Sequence, residues 1–95
     1  MNPLWISAGL TVYDNQSPAR AREELAILRA HTMTEEGCVS FEIRPHQNAP
    51  NKFTLWEEWI SADALTAHFE AAHTKHYLSL ELTHIDYVER LEATL

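Results

Sequence analysis

Between Phe53 and Ile60 the chain reads FTLWEEWI, and alternation sends Phe53, Leu55, Glu57 and Trp59 to one face of a strand and Thr54, Trp56, Glu58 and Ile60 to the other. A strand with one face in water shows a cleaner alternation, so large apolar groups on both faces predict cover on both. After Ile60 the period lengthens. Ser61 or Asp63 can cap a helix whose Leu65, His68 and Phe69 fall at i, i+3 and i+4 on one stripe. His68 is therefore aimed at the core side, where burial and titration coincide.

Three further strands and two further helices follow from the same pattern. Leu4 to Tyr13 alternates Ile6, Ala8, Leu10 and Val12 against Trp5, Ser7, Gly9, Thr11 and Tyr13; the small Ser7 and Gly9 leave room on the second face, as a bulge or a pocket wall. Ser17 and Pro18 begin a helix of about four turns with Ala21, Leu25, Leu28 and Thr32 as its packing stripe. Glu35, Glu36 and Gly37 end it, with Gly37 available for a left-handed cap; acids there oppose the helix dipole, for which the sequence offers no reason. Cys38 to Arg44 alternates Val39, Phe41 and Ile43 against Cys38, Ser40, Glu42 and Arg44, and the turn-forming Pro45 to Asn51 joins it to the Phe53 strand. The helical pattern breaks between Ala71 and Thr74. A short helix carrying Tyr77 and Leu78 follows, then a last strand, Thr83 to Leu91, with Ile85, Tyr87 and Leu91 on one side.

The order β-α-β-β-α-α-β predicts one α+β domain over residues 1–95. It is a ferredoxin-like split β-α-β plait, a four-stranded antiparallel sheet with its helices on one face. Two such sheets packed face to face bury the bare side and give a homodimer, a dimeric α/β barrel, while a pocket fits between each sheet and its own helices.

Composition narrows the partners. Seven basic against fourteen acidic residues give a net charge of −7 with the basic groups scattered, a poor match to nucleic acid. The chain opens MNPLW without a basic leader, and no apolar run approaches the roughly 18 residues of a membrane span, which predicts a cytoplasmic protein without membrane partners. The single Cys38 lacks a C-x-x-C partner and reads as a small buried residue.

Six histidines raise the question of a metal site. On one continuous helix the five-residue step from His68 to His73 separates the side chains by about 140°, and the i, i+3 pair His73 and His76 has no further ligand at matching spacing, so no metal is assigned. The chain has no Gly-rich phosphate loop, dinucleotide fingerprint or G-x-S-x-G. What remains is an apolar pocket with a few polar groups around His68, with Ser7, Glu57 or Tyr77 near it, suited to a flat small molecule.

EEGCVSF at Glu35 to Phe41, followed by F-x-L-x-E-x-W-x-S-x-x-x-L-x-A-H-x-x-x-x-H-x-K-x-Y from Phe53 to Tyr77, resembles the antibiotic-biosynthesis monooxygenase superfamily, nearest its small quinol monooxygenases. The resemblance implies oxygenation of a hydroquinone-like or polyketide aromatic by O₂ without metal, flavin or haem. By position it implies that His68 is base or hydrogen-bond partner to the ionising hydroxyl. Glu57 orients or stabilises, Trp59 is core or pocket wall, and His73 and Tyr77 cap or line the pocket together with Ser7, Gly9, Leu65 and Phe69. Three other readings stand beside it: an isomerase of a small phosphorylated or oxidised carbonyl, for which Arg44 and Lys75 are the only basic groups near the motifs, a non-catalytic dimeric binder of aromatic ligands, and a haem-degrading relative.

Overall fold

The computed structural model describes residues 2–95. Its elements are β1 (Leu4–Val12), α1 (Pro18–Thr32), β2 (Cys38–Pro45), β3 (Lys52–Trp59), α2 (Ala62–Glu70), α3 (Ala72–Ser79) and β4 (Thr83–Leu91). The four strands form one antiparallel sheet in the order β2-β3-β1-β4, the ferredoxin-like arrangement, with β1 and β3 central.

Local chemistry sets the helix boundaries. The Ser17 hydroxyl accepts from the Arg20 N–H, with Pro18 entering the first turn, and the Ser61 hydroxyl accepts from the Ala64 N–H, so Ser61 rather than Asp63 caps α2. Between α2 and α3, Ala71 is extended at φ −68°, ψ 143°, which breaks the helical run and turns α3 away from the α2 axis.

One face of the sheet carries the core. Ile6, Ala8, Leu10 and Val12 of β1 and Phe53, Leu55, Glu57 and Trp59 of β3 are all buried against the α1 stripe of Ala21, Leu25, Leu28 and Thr32, together with Leu65, Tyr77 and Leu82. The opposite face keeps apolar surface: Trp56 is 39% exposed, Tyr87 43% and Leu91 36%, and the Trp5 indole nitrogen is enclosed without a hydrogen-bond partner among the described residues.

Two bulges redirect side chains that simple alternation misplaces. In β2 the register jumps between Cys38 and Ser40: Cys38 pairs with Trp59 and Phe41 with Glu57, so Val39 is the extra residue and stands 48% exposed instead of joining Phe41 and Ile43. In β4 the jump lies opposite Gly9 and Leu10. Leu10 pairs with Ile85 but Gly9 with Tyr87, so Ile85 shares the helix-covered face with Val88 and Arg90 while Tyr87 and Leu91 lie on the other.

Both glycines answer to close approach. Tyr87 packs over Gly9, where an added Cβ would lie 2.6 Å from the ring. Gly37 is not a left-handed cap, since no glycine has positive φ among the described residues; a Cβ there would meet the Ala64 Cβ at 2.4 Å, so glycine lets the turn after α1 press against α2. Phe69, placed on the packing stripe by periodicity, is 49% exposed and Leu78 of α3 is 52% exposed; both border a gap between the helices and the sheet.

Candidate functional site

The gap is a cavity of about 190 Å³ between the inner sheet face and the helices. Ile6, Ala8, Leu10, Leu55, Phe41 and Leu65 form its apolar walls, and Phe69, Leu78, Ile85 and Val88 surround its open side. Six residues bring polar groups to the lining: His68 from α2, Thr74 and Tyr77 from α3, Glu57 from β3, and Thr83 and Arg90 from β4. Phe41, Glu57, Ile6 and Arg90 occupy successive strands of one row, since Glu57 pairs with Phe41 and Ile6, and Ile6 with Arg90.

His68 is 4% exposed. Its ring sits between Trp59 (centroids 4.9 Å apart), Phe41 (5.4 Å) and Phe69 (5.4 Å), which fix its orientation through contact on several sides. Its Nδ1 lies 2.7 Å from Glu35 Oε2 and 3.3 Å from Thr74 Oγ1. The same Glu35 oxygen lies 2.6 Å from His73 Nε2, and the His73 ring stacks on His31 at 5.7 Å. Burial pushes the His68 imidazole below the ordinary histidine range, while the hydrogen bond and charge of Glu35 pull the other way. The cavity therefore holds a neutral imidazole at neutral pH.

Glu57 is enclosed and accepts a 2.9 Å hydrogen bond from the Trp59 indole N–H, two positions along β3 on the same face. Desolvation raises its carboxyl above the ordinary range, partly offset by that bond. The Tyr77 hydroxyl bonds the Thr83 hydroxyl at 2.7 Å, joining α3 to the start of β4. Burial raises the Tyr77 phenol as well, so it stays protonated across the neutral range.

The structure brings together His68, Glu57, Leu65, Phe69 and Tyr77 on the cavity and separates the other sequence candidates from it. Ser7 and Gly9 pair with Trp56 and Thr54 on the uncovered face of the sheet, so the sheet itself stands between them and His68. Trp59 is fully buried behind His68 and Glu57 rather than on the cavity surface. His73 lies outside, on a groove between α1 and α3 that also exposes His31 and His76.

Glu35, Thr74 and Arg90 were not among the sequence candidates. Glu35 left two signals, an acid at the unfavourable end of α1 and the first place in the EEGCVSF block, and its two histidine contacts account for the first. Arg90 left none: the β4 bulge turns it inward, and neither Arg44 nor Lys75 is the basic group of the cavity. The break at Ala71 also removes the separation expected of His68 and His73 on a continuous helix. Donor atoms of Glu35, His68 and His73 all lie within 4.8 Å of one another, a His₂Glu set of the kind that suits a divalent cation as well as a proton-shared cluster.

A buried histidine backed by a carboxylate stands over an apolar cavity in a ferredoxin-like plait, an arrangement suited to binding a small molecule. The chain belongs to the antibiotic biosynthesis monooxygenase family, whose profile matches residues 10–79. It is 30% identical over 84 residues to YjcS, an uncharacterized protein of Bacillus subtilis (strain 168), with 88% of this chain and 80% of YjcS aligned. The solved structure of a protein YjcS superposes with a TM-score of 0.88 at 27% identity, covering 97% of this chain and 99% of that one. SnoaB, a cofactor-independent oxygenase from Streptomyces nogalater, shares the fold with a TM-score of 0.85 at 14% identity, over 100% of this chain and 96% of its own.

Proposed function

We propose that the protein is a cofactor-independent monooxygenase that oxidises a small hydroquinone-like or polyketide aromatic with O₂, using His68 as the base. The observation that carries this reading is the buried His68: its Nδ1 is occupied by Glu35, its ring is wedged between aromatics, and Nε2 has no hydrogen-bond partner among the described residues. Membership of the family and the likeness to SnoaB, itself a cofactor-independent oxygenase, support it.

The chemistry asks little of the protein beyond what the cavity offers. His68 Nε2 takes the proton of a substrate hydroxyl, and the resulting phenolate gives one electron to O₂. The aryloxyl radical, through its spin density on a ring carbon, and superoxide combine to form a C–O bond. The proton on that carbon passes to the distal oxygen as the O–O bond breaks, one oxygen stays on carbon as a carbonyl, and the hydroxide so formed is protonated to water by the His68 imidazolium. All four electrons taken by O₂ come from the substrate, which needs no external reductant. Apolar walls exclude water while these intermediates exist.

Size restricts the substrate. A cavity of roughly 150 Å³ holds benzene, so about 190 Å³ takes one or two rings, and a third ring extends between Phe69, Leu78 and Ile85. The uncovered sheet face, with Trp56, Tyr87, Leu91 and the unpaired Trp5 N–H, fits a two-fold homodimer closing a dimeric barrel. One observation favours a second reading: Arg90 on the cavity wall is placed to meet an anionic group, as an isomerase acting on a phosphorylated carbonyl would require.

Oxygen uptake by the metal-stripped protein with hydroquinones, naphthols and anthrones, autoxidation subtracted, tests the reading. Turnover that His68→Ala abolishes while ligand binding persists supports it. Absence of uptake with every compound, together with binding of phosphorylated carbonyls that Arg90→Ala removes, moves the assignment to the isomerase.

A further inference from the structure

We propose that Glu35 is the positioning residue of the base: its carboxylate holds the His68 proton on Nδ1 and so presents Nε2 as the lone pair of the cavity, while His73 clamps the carboxylate from the outer side. The inference rests on His68 acting as proton acceptor.

A carboxylate only accepts hydrogen bonds. Oε2 of Glu35 lies 2.7 Å from His68 Nδ1 and 2.6 Å from His73 Nε2, so both nitrogens carry the hydrogen and each neutral ring is fixed in one tautomer. For His68 that tautomer leaves Nε2 bare. When Nε2 takes a proton, the imidazolium forms 2.7 Å from a carboxylate whose side chain is only 14% exposed, where the attraction is screened far less than at the surface. The second bond from His73 stops the carboxylate from rotating away, and His73 is itself held by its stack on His31.

Three elements therefore build the anchor: the turn after α1, the last turn of α2 and the first turn of α3. The titratable and charged groups beside His68 are Glu35 of the turn and His73 of α3, with Glu57 of β3 and Arg90 of β4 on the same cavity lining. Among the described residues, only Glu35 and Thr74 lie within hydrogen-bond distance of its Nδ1.

Long-range ¹H–¹⁵N correlation of the imidazole nitrogens in the full-length protein tests the assignment. The wild type should show His68 with a protonated Nδ1 and a bare Nε2 above its titration. Glu35→Gln should move the His68 midpoint to lower pH and reduce turnover by about 100-fold, the scale of one lost acid–base contribution, with Glu35→Asp recovering part of both. A proton found on Nε2, an unchanged midpoint in Glu35→Gln, or resonances that move when a chelator strips a bound cation would each overturn the role. The wild-type spectrum decides even if a variant fails to fold. Undiminished turnover in His68→Ala would sink the base itself, whereas a bare Nδ1 alongside an inactive His68→Ala would sink only Glu35.

Discussion

Glu35 and His68, 33 residues apart in the chain, meet at 2.7 Å between the turn after α1 and the last turn of α2. The pairing joins an acid the α1 dipole disfavours to a histidine the α2 dipole favours, since a helix C-terminus attracts positive charge. Each residue's position at a helix end makes sense only through the other.

Stability should follow His68 with pH. An unfolded histidine titrates near about 6.5, and burial holds folded His68 below that. As pH falls through about 6.5 the unfolded chain takes up a proton that the folded one declines, so this contribution is complete above that pH and shrinks toward the folded midpoint. Thermal melts between about pH 8 and 5 should fall on this limb, and the slope should flatten in His68→Gln. An equal slope in the variant would place the titrating group elsewhere.

Glu57 should show the opposite sign. Its raised carboxyl stays protonated in the fold while the unfolded chain ionises above about 4.3, so stability declines as pH rises from there to the folded midpoint and stays reduced above it. Glu57→Gln keeps an acceptor for the Trp59 N–H and removes the group whose ionisation the fold disfavours, so it should melt higher than wild type at neutral pH. Glu57→Leu strands that N–H and should cost about 1–3 kcal/mol relative to Gln. Denaturant midpoints of the two variants at neutral pH give the comparison, and a Gln variant less stable than Leu would contradict it.

The two glycines should respond differently to alanine. At Gly37 the obstacle is the Ala64 Cβ, attached directly to α2 backbone, so Gly37→Ala should cost about 1–3 kcal/mol and loosen the Glu35 turn. At Gly9 the obstacle is the edge of the half-exposed Tyr87 ring, which can swing aside, so Gly9→Ala should cost less than about 1 kcal/mol. Equal losses in urea unfolding would show that Tyr87 is held as firmly as the backbone.

Thr32 is fully buried on the α1 stripe and its hydroxyl has no hydrogen-bond partner among the described residues. Thr32→Val replaces that hydroxyl with a methyl of similar volume and should be neutral or stabilising by about 1 kcal/mol. Loss of stability would mean that the hydroxyl is satisfied by an ordered water.

The sequence by itself determined the elements, their order and most of the core. Its signals there are local: the alternation of Phe53 to Trp59, the spacing of Ala21, Leu25, Leu28 and Thr32, and the caps at Ser17 and Ser61 each depend on neighbours a few residues away. It also placed His68 on the buried side of α2 beside Leu65. Only the tertiary structure decided what surrounds that histidine. One extra residue in β4 reverses the facing of everything beyond it, which carries Arg90 into the cavity and Tyr87 out of it; Gly9 signalled an irregularity at this place, but nothing local says that the neighbouring strand takes the extra residue. Ser7 and Gly9 looked like pocket positions because they are small, yet smallness cannot say which sheet face the helices cover. Glu35 and His73 reach one another through a break between helices, and a contact made across separate elements has no periodicity for the sequence to display.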